Sequence, residues 1–187
     1  LKARGLRLVP GDCLEGAPIR FRRAEVTPEG ANNRLPYLDE VVRQGKRALQ
    51  VRYNVSEPGA WQRVLVQDKW NWSCVKALRL RYNAPQRTPV QIVLEDGQLK
   101  DGYKHGARFY AEGVLAQTDR WLELRVGVNS LRPFDPKDLR LLKGNQLRKV
   151  AVAFPGVRGA APSGKVTLLS LEALADQDDL GEDGSCL

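Results

Sequence analysis

The chain is poor in the residues that carry most metal, redox and hydrolytic chemistry. It has a single histidine, His105, three cysteines and no methionine. One histidine excludes any mechanism that needs two in the same chain, the HExxH zinc hydrolases included. Cys13, Cys74 and Cys186 lie far apart, with no CxxC pair. Structural zinc draws on clustered Cys and His ligands, so none is expected. A Cys–His nucleophile pair has only His105 to use, and no local signature supports one. The odd count leaves at least one thiol unpaired or bonded to another chain, and it leaves the redox compartment open. No stretch approaches the roughly 18 apolar residues of a membrane-spanning helix. The 17 Gly and 11 Pro follow no period, which excludes collagen-like and low-complexity character. With no Met and Leu1 at the start, the expectation is a mature or trimmed chain, any targeting peptide lying outside it.

What remains is a chain of 187 residues, 42% hydrophobic, with 30 Lys+Arg against 22 Asp+Glu and a formal charge of +8. That length fits one domain with one core and no need of staples. Its dominant period is two. Leu49, Val51 and Tyr53 alternate with polar partners in 48–53, and Leu78, Leu80 and Tyr82 alternate with Arg79 and Arg81 in 77–82. Further strands are read over 89–95, closed by the Asp96-Gly97 turn, and over 108–115, 121–126, 148–154 and 165–171. Leu38 to Arg47 and Pro136 to Leu142 read as short helices. Many short strands and little helix predict an all-β, antiparallel two-sheet β-sandwich. Residues 1–18 read as an N-terminal arm, 19–175 as the sandwich, and 176–187, with Asp176, Asp178, Asp179, Glu182 and Asp183, as an acidic, flexible tail.

The order of these segments resembles that of β-jelly-roll carbohydrate-binding modules. Gly45 to Tyr53 is similar to their G-x-x-A-L-x-V-x-Y strand, and Trp72 to Tyr82 to their W-S-x-Y-x-x-L-x-F-x-V segment. Thr88 to Gly97 is similar to the next strand. Arg120 to Phe134, Leu147 to Phe154 and Gly164 to Leu171 resemble the closing ones. The resemblance covers about Ile19 to Ala175 and implies a galactose-binding-domain-like jelly roll of the kind attached to polysaccharide-degrading enzymes. In that family the last strand often carries an Asp for structural calcium. The comparable position here is Leu169, beside Ser170, so no family-type calcium and no other cofactor is expected.

Alternation places Arg79 and Arg81 on one side of their strand, with Gln91 and Glu95, Tyr110, Trp121 and Arg125 on the corresponding sides of theirs. If several of these strands are neighbours, one sheet face presents guanidinium, amide, carboxylate and aromatic groups together. Sugar hydroxyls need such donor–acceptor pairs, and sugar C–H faces stack on rings. The same pattern also describes a solvated face of cross-strand charge pairs. Trp61 and Trp70 are candidates for an aromatic platform, and Trp72 reads as a core anchor. The expected ligand-binding set is therefore Trp61, Trp70, Arg79, Arg81, Gln91, Glu95, Tyr110, Trp121 and Arg125, with no catalytic or metal-binding residue.

The segment Asp101 to Tyr110 resembles the Y-F-K-A-G-x-Y strand of one alginate-lyase family. That family's Gln-x-His strand reads Gln91-Ile92-Val93 here, so its histidine is missing. Nucleic acid is not expected, because the basic residues are dispersed among Glu rather than clustered. The expectation is a non-catalytic module for a polysaccharide, anionic or of the cell envelope, in an extracellular or envelope setting. A larger enzyme or another protein is a possible partner. The alternatives are a protein-interaction domain and a jelly-roll polysaccharide lyase.

Overall fold

The computed structural model describes residues 6–10, 21, 26–66, 70–71, 73–84, 87–97, 102, 105–113, 120–138, 147–179 and 182. They form β1 (Leu6–Pro10), β2 (Val26–Gly30), β3 (Tyr37–Arg43), β4 (Lys46–Asn54), β5 (Trp61–Val66), β6 (Trp70–Asn71) and β7 (Val75–Asn83). Then follow β8 (Gln91–Asp96), β9 (Arg108–Glu112), β10 (Leu122–Gly127), β11 (Arg132–Pro133), β12 (Leu147–Pro155) and β13 (Ser163–Ala175). The first sheet runs β10-β7-β13-β4-β3, with β1 added to β13. The second runs β11-β9-β8-β12-β5-β2, with β6 added to β12. All pairings are antiparallel except β1 on β13. This is the two-sheet β-sandwich the alternation predicts. Proline removes a ladder donor and is kept to edges and strand ends: β2 and β11, which contain Pro28 and Pro133, are the two edge strands of the second sheet, and Pro155 is the last residue of the central β12.

The core fills the gap between the sheets. Leu49, Val51 and Tyr53 on β4, Leu78, Leu80 and Tyr82 on β7, and Val166, Leu168, Leu171 and Ala173 on β13 face Val64, Val66, Ile92, Leu94, Phe109, Val150, Val152 and Phe154 of the second sheet. Tyr53 and Phe154 stack across the gap, with ring centroids 5.2 Å apart. On β13 the inward set steps from Leu168 to Leu171 because the register shifts between Leu168 and Ser170. That bulge switches which residues point inward, and it leaves Leu169 buried on the other side.

Two readings are corrected. Leu38 to Arg47 is not a helix: it is most of the β3–β4 hairpin, with Arg43 opposite Lys46. Gln44 and Gly45 carry φ of 51° and 73°, the left-handed pair that closes a two-residue hairpin in the sense of strand twist. Helical spacing of Leu38, Val41 and Val42 gives way to the ladder with β4. The described part of Pro136 to Leu142 is a turn, with Asp138 N–H on the Asp135 carbonyl at 2.9 Å, and the rest lies outside the described residues. Within the stretch read as an arm, β1 pairs with Leu171 to Ala175. At the other end Asp179 Oδ2 meets Lys76 Nζ at 3.3 Å. Cys74 is disulfide-bonded; Cys13 and Cys186 lie outside the described residues. Among the described residues no helix is long and apolar enough to cross a membrane.

Candidate functional site: the outward face of the second sheet

Alternation that sends Ile92, Leu94, Phe109, Val152 and Val64 inward sends their neighbours out. The register aligns them in rows. One row runs Glu29, Arg63, Ala153, Gln91, Glu112, and the next Thr27, Leu65, Ala151, Val93, Tyr110, Arg132. In these two rows the central strand contributes only alanine, and Ala151 and Ala153 with Val93 of β8 form an apolar floor against which Leu65 and Tyr110 pack. Because β12 carries alanine there, the Arg63 side chain can reach across it. Its Nε donates to Glu29 Oε2 at 2.6 Å, and its Nη1 donates to Glu95 Oε2 at 3.3 Å. Arg108 Nε donates to the same Glu95 oxygen at 3.1 Å. Beside this chain of alternating charge, Gln91 Nε2 donates to Glu112 Oε1 at 3.2 Å.

Aromatic rings flank the polar centre. On one side Tyr110 and Phe134 sit with centroids 4.5 Å apart, and Phe134 is 49% exposed. Its position is held by its N–H on the Arg108 carbonyl at 3.0 Å. On the other side the Arg63 guanidinium lies 5.4 Å from the Trp61 ring. Glu95 is 4% exposed and Arg63 9%. These two buried charges hold their partly exposed partners Glu29 and Arg108 in place, so little side-chain entropy remains to be lost when a polar ligand docks. The face therefore offers fixed donors and acceptors between apolar ring surfaces.

The nine candidates do not share one surface. Trp61, Gln91, Glu95 and Tyr110 do belong to this face. Trp70 lies in β6, in the same sheet, with its backbone paired to Arg148. Arg79, Arg81, Trp121 and Arg125 belong to the first sheet, on or just before β7 and β10. The reason is topological: β7 and β8 are consecutive in sequence but lie in opposite sheets. Arg79 is 1% exposed and ion-paired with Glu172, so solvent does not reach it. Arg81 Nε donates to Glu123 Oε2 at 3.2 Å, and Trp121 Nε1 is buried with no hydrogen-bond partner among the described residues.

Arg63, Arg108, Glu29 and Phe134 were not in the expected set. Alternation of Trp61, Arg63 and Leu65 is readable in sequence, whereas the approach of Phe134 to Tyr110 depends on the turn that follows β11. His105, the residue a lyase would need, precedes β9 and donates from Nδ1 to the Gly106 carbonyl at 2.8 Å. Trp72 lies outside the described residues. Among the described residues no three His, Cys, Asp or Glu side chains gather as a metal site would require.

No protein-family model and no curated protein sequence matches the chain. Its fold does match solved structures. A family 11 carbohydrate-binding module from Clostridium thermocellum, in complex with a β-1,3-1,4-mixed-linked tetrasaccharide, aligns with a TM-score of 0.62 and 10% identity, covering 88% of this chain and 94% of that one. The family 11 module of a cellulosomal cellulase of the same organism gives 0.60 at 9% identity, covering 81% and 88%. A structure on the promiscuous specificity of β-sandwich carbohydrate-binding modules gives 0.52 at 11%, covering 82% and 58%. The chain therefore has the jelly-roll β-sandwich fold of carbohydrate-binding modules, as its segment order implied.

Proposed function

We propose that the protein is a non-catalytic polysaccharide-binding module that holds a glycan on the outward face of the second sheet. The observation that carries this is the Glu29–Arg63–Glu95–Arg108 network set between Trp61 and the Tyr110–Phe134 pair. The rings stack sugar C–H faces while the fixed guanidinium, carboxylate and amide groups bond hydroxyls. The relatives named above support the class of ligand. The sequence alone favoured an anionic or envelope glycan. The balance of acid and base on this face favours a neutral one, since a uronate would have to displace an internal carboxylate from its arginine. The disulfide at Cys74 supports an extracellular or envelope setting, where such bonds persist.

The test is affinity electrophoresis against mixed-linkage β-glucan, xylan, galactan and alginate, followed by calorimetry on the retained polymer. Wild type should be retarded by a neutral glycan, and Tyr110→Ala should weaken binding at least about tenfold, as expected when a stacking ring is lost. Arg81→Ala, on the other sheet, should bind like wild type. A chain that no polysaccharide retards, but that captures a protein sugars do not displace, would support the interaction-domain reading. Accumulation of unsaturated uronate would support the lyase.

A further inference from the structure

At the Trp61 end of the face is a separate hollow of about 50 Å³, walled by Trp61, by the turn at Ala31–Asn33 with Arg34, and by the loop 54–60. Its walls are fixed from beneath. Gln62, 4% exposed, accepts from Asn54 N–H at 2.8 Å and donates to the Arg34 carbonyl at 3.0 Å. One buried amide thus ties the two walls together. Asn54 Oδ1 accepts from Ser56 N–H at 3.3 Å and from Ser56 Oγ at 2.9 Å. Gly156 N–H bonds the Ala60 carbonyl at 2.9 Å, and a Cβ there would stand 2.9 Å from the Val55 carbonyl, so only glycine lets the strand come this close to the loop. Asn32 and Asn33, with φ of 52° and 58°, occupy the left-handed region that asparagine tolerates better than most residues. At the mouth Arg34 and Glu57 form an ion pair whose side chains remain 65% and 49% exposed.

We propose that this hollow is a chain-end subsite, which reads the terminal sugar of a neutral glycan. The inference rests on the glycan-binding reading of the adjoining face, with which it is continuous because Trp61 belongs to both. A volume near that of one or two water molecules excludes a sugar ring but admits one exocyclic group, such as a hydroxymethyl. The ring itself stacks on Trp61. Vicinal hydroxyls each donate and accept, and the Arg34–Glu57 couple supplies one donor group and one acceptor group side by side. The couple carries no net charge, so it offers a free ion no net Coulombic attraction, while its adjacent donor and acceptor still suit an uncharged polyol. The loops 31–34 and 54–60 wall the hollow, so a glycan that reaches it from the face ends there.

The experiment compares wild type with Arg34→Ala, Glu57→Gln and Tyr110→Ala, by calorimetry, on the retained polymer and on its oligosaccharides from the disaccharide upward. An exposed ion pair contributes little to folding, so the melting temperatures of both rim variants should match wild type. Each rim variant should weaken oligosaccharide binding about tenfold, the scale of one lost hydrogen bond to a charged group. Polymer binding, which offers few ends, should change less than twofold. If Tyr110→Ala abolishes binding while both rim variants hold oligosaccharides within twofold of wild type, the subsite is overturned and the face reading stands. If wild type binds no polymer or oligosaccharide, both readings fall together.

Discussion

Arg79 shows what a charged residue does when the sheet places it out of reach of solvent. Its Nε donates to Glu172 Oε2 at 2.6 Å, and its Nη2 contacts the same oxygen out of hydrogen-bonding alignment, while Glu172 Oε1 has no hydrogen-bond partner among the described residues. Removing one member of such a pair strands the other charge, at a cost of about 3–5 kcal/mol. Replacing both with apolar residues of similar volume removes the desolvation penalty along with the attraction. Glu172→Ala should therefore lower stability to chemical denaturation severely, and Arg79→Met/Glu172→Leu should recover most of the loss. A double variant as unstable as the single one would show that the pair stabilises the fold on balance. Tyr53 gives the second residue-scale expectation. Its buried hydroxyl donates to the Ala161 carbonyl at 3.1 Å and accepts from the Thr88 hydroxyl, Oγ1 lying at 3.3 Å. Burial raises its pKa above 10.0, and the Thr88 hydrogen bond opposes part of that rise. A phenol that keeps its proton longer when folded contributes stability fully present below the unfolded value. That stability is lost as pH climbs through the folded value. Urea unfolding from about pH 8 to about pH 11 should show a decline above about pH 10 that is shallower in Tyr53→Phe; parallel profiles would rule out Tyr53 as its source.

At the scale of elements, strands with strict alternation and a turn at the end were legible. The run Ala77 to Tyr82 became β7, and Gln91 to Glu95, stopped by Asp96-Gly97, became β8. What hid the others is physical. In β3 the residues Leu38, Val41 and Val42 keep helical spacing, and only pairing with β4 decides between the two periods. β5 buries Gln62 and Arg63 beside Val64, so polar residues interrupt its apolar signal, although each has a partner in space. β2 is short and contains Pro28. The site was half legible for a related reason. Alternation tells which residues of one strand share a side, but not which strands are neighbours. Gln91, Glu95 and Tyr110 came together because β8 pairs with β9. Arg79 and Arg125 are also directly opposed, on β7 and β10, but in the other sheet. The partner of Arg79 lies 93 residues further along the chain, beyond any local pattern.

For the whole molecule the question is where the +8 charge resides. On the proposed binding face Glu29, Glu95 and Glu112 stand against Arg63, Arg108 and Lys149, the last directly opposite Glu95, with Arg132 at the margin. Among the described residues the first sheet and its hairpin end carry a further group of exposed cations, at Lys46, Arg47, Arg52, Arg125 and Lys165. Two kinds of association with polysaccharide should therefore separate by salt. Coulombic attraction between exposed charges fades once the Debye length falls to a few ångströms, at about half-molar to molar salt. Stacking and hydrogen bonding on the balanced face do not depend on that length. Affinity for a neutral glycan should stay within about twofold from low salt to about half-molar, and Tyr110→Ala should lose it throughout. Retention by an anionic polymer such as alginate should vanish over the same range and be indifferent to Tyr110→Ala. If alginate is instead held at high salt and released by Tyr110→Ala, the arginines of the network engage its carboxylates directly. The glycan bound on this face is then acidic, as the sequence alone led one to expect.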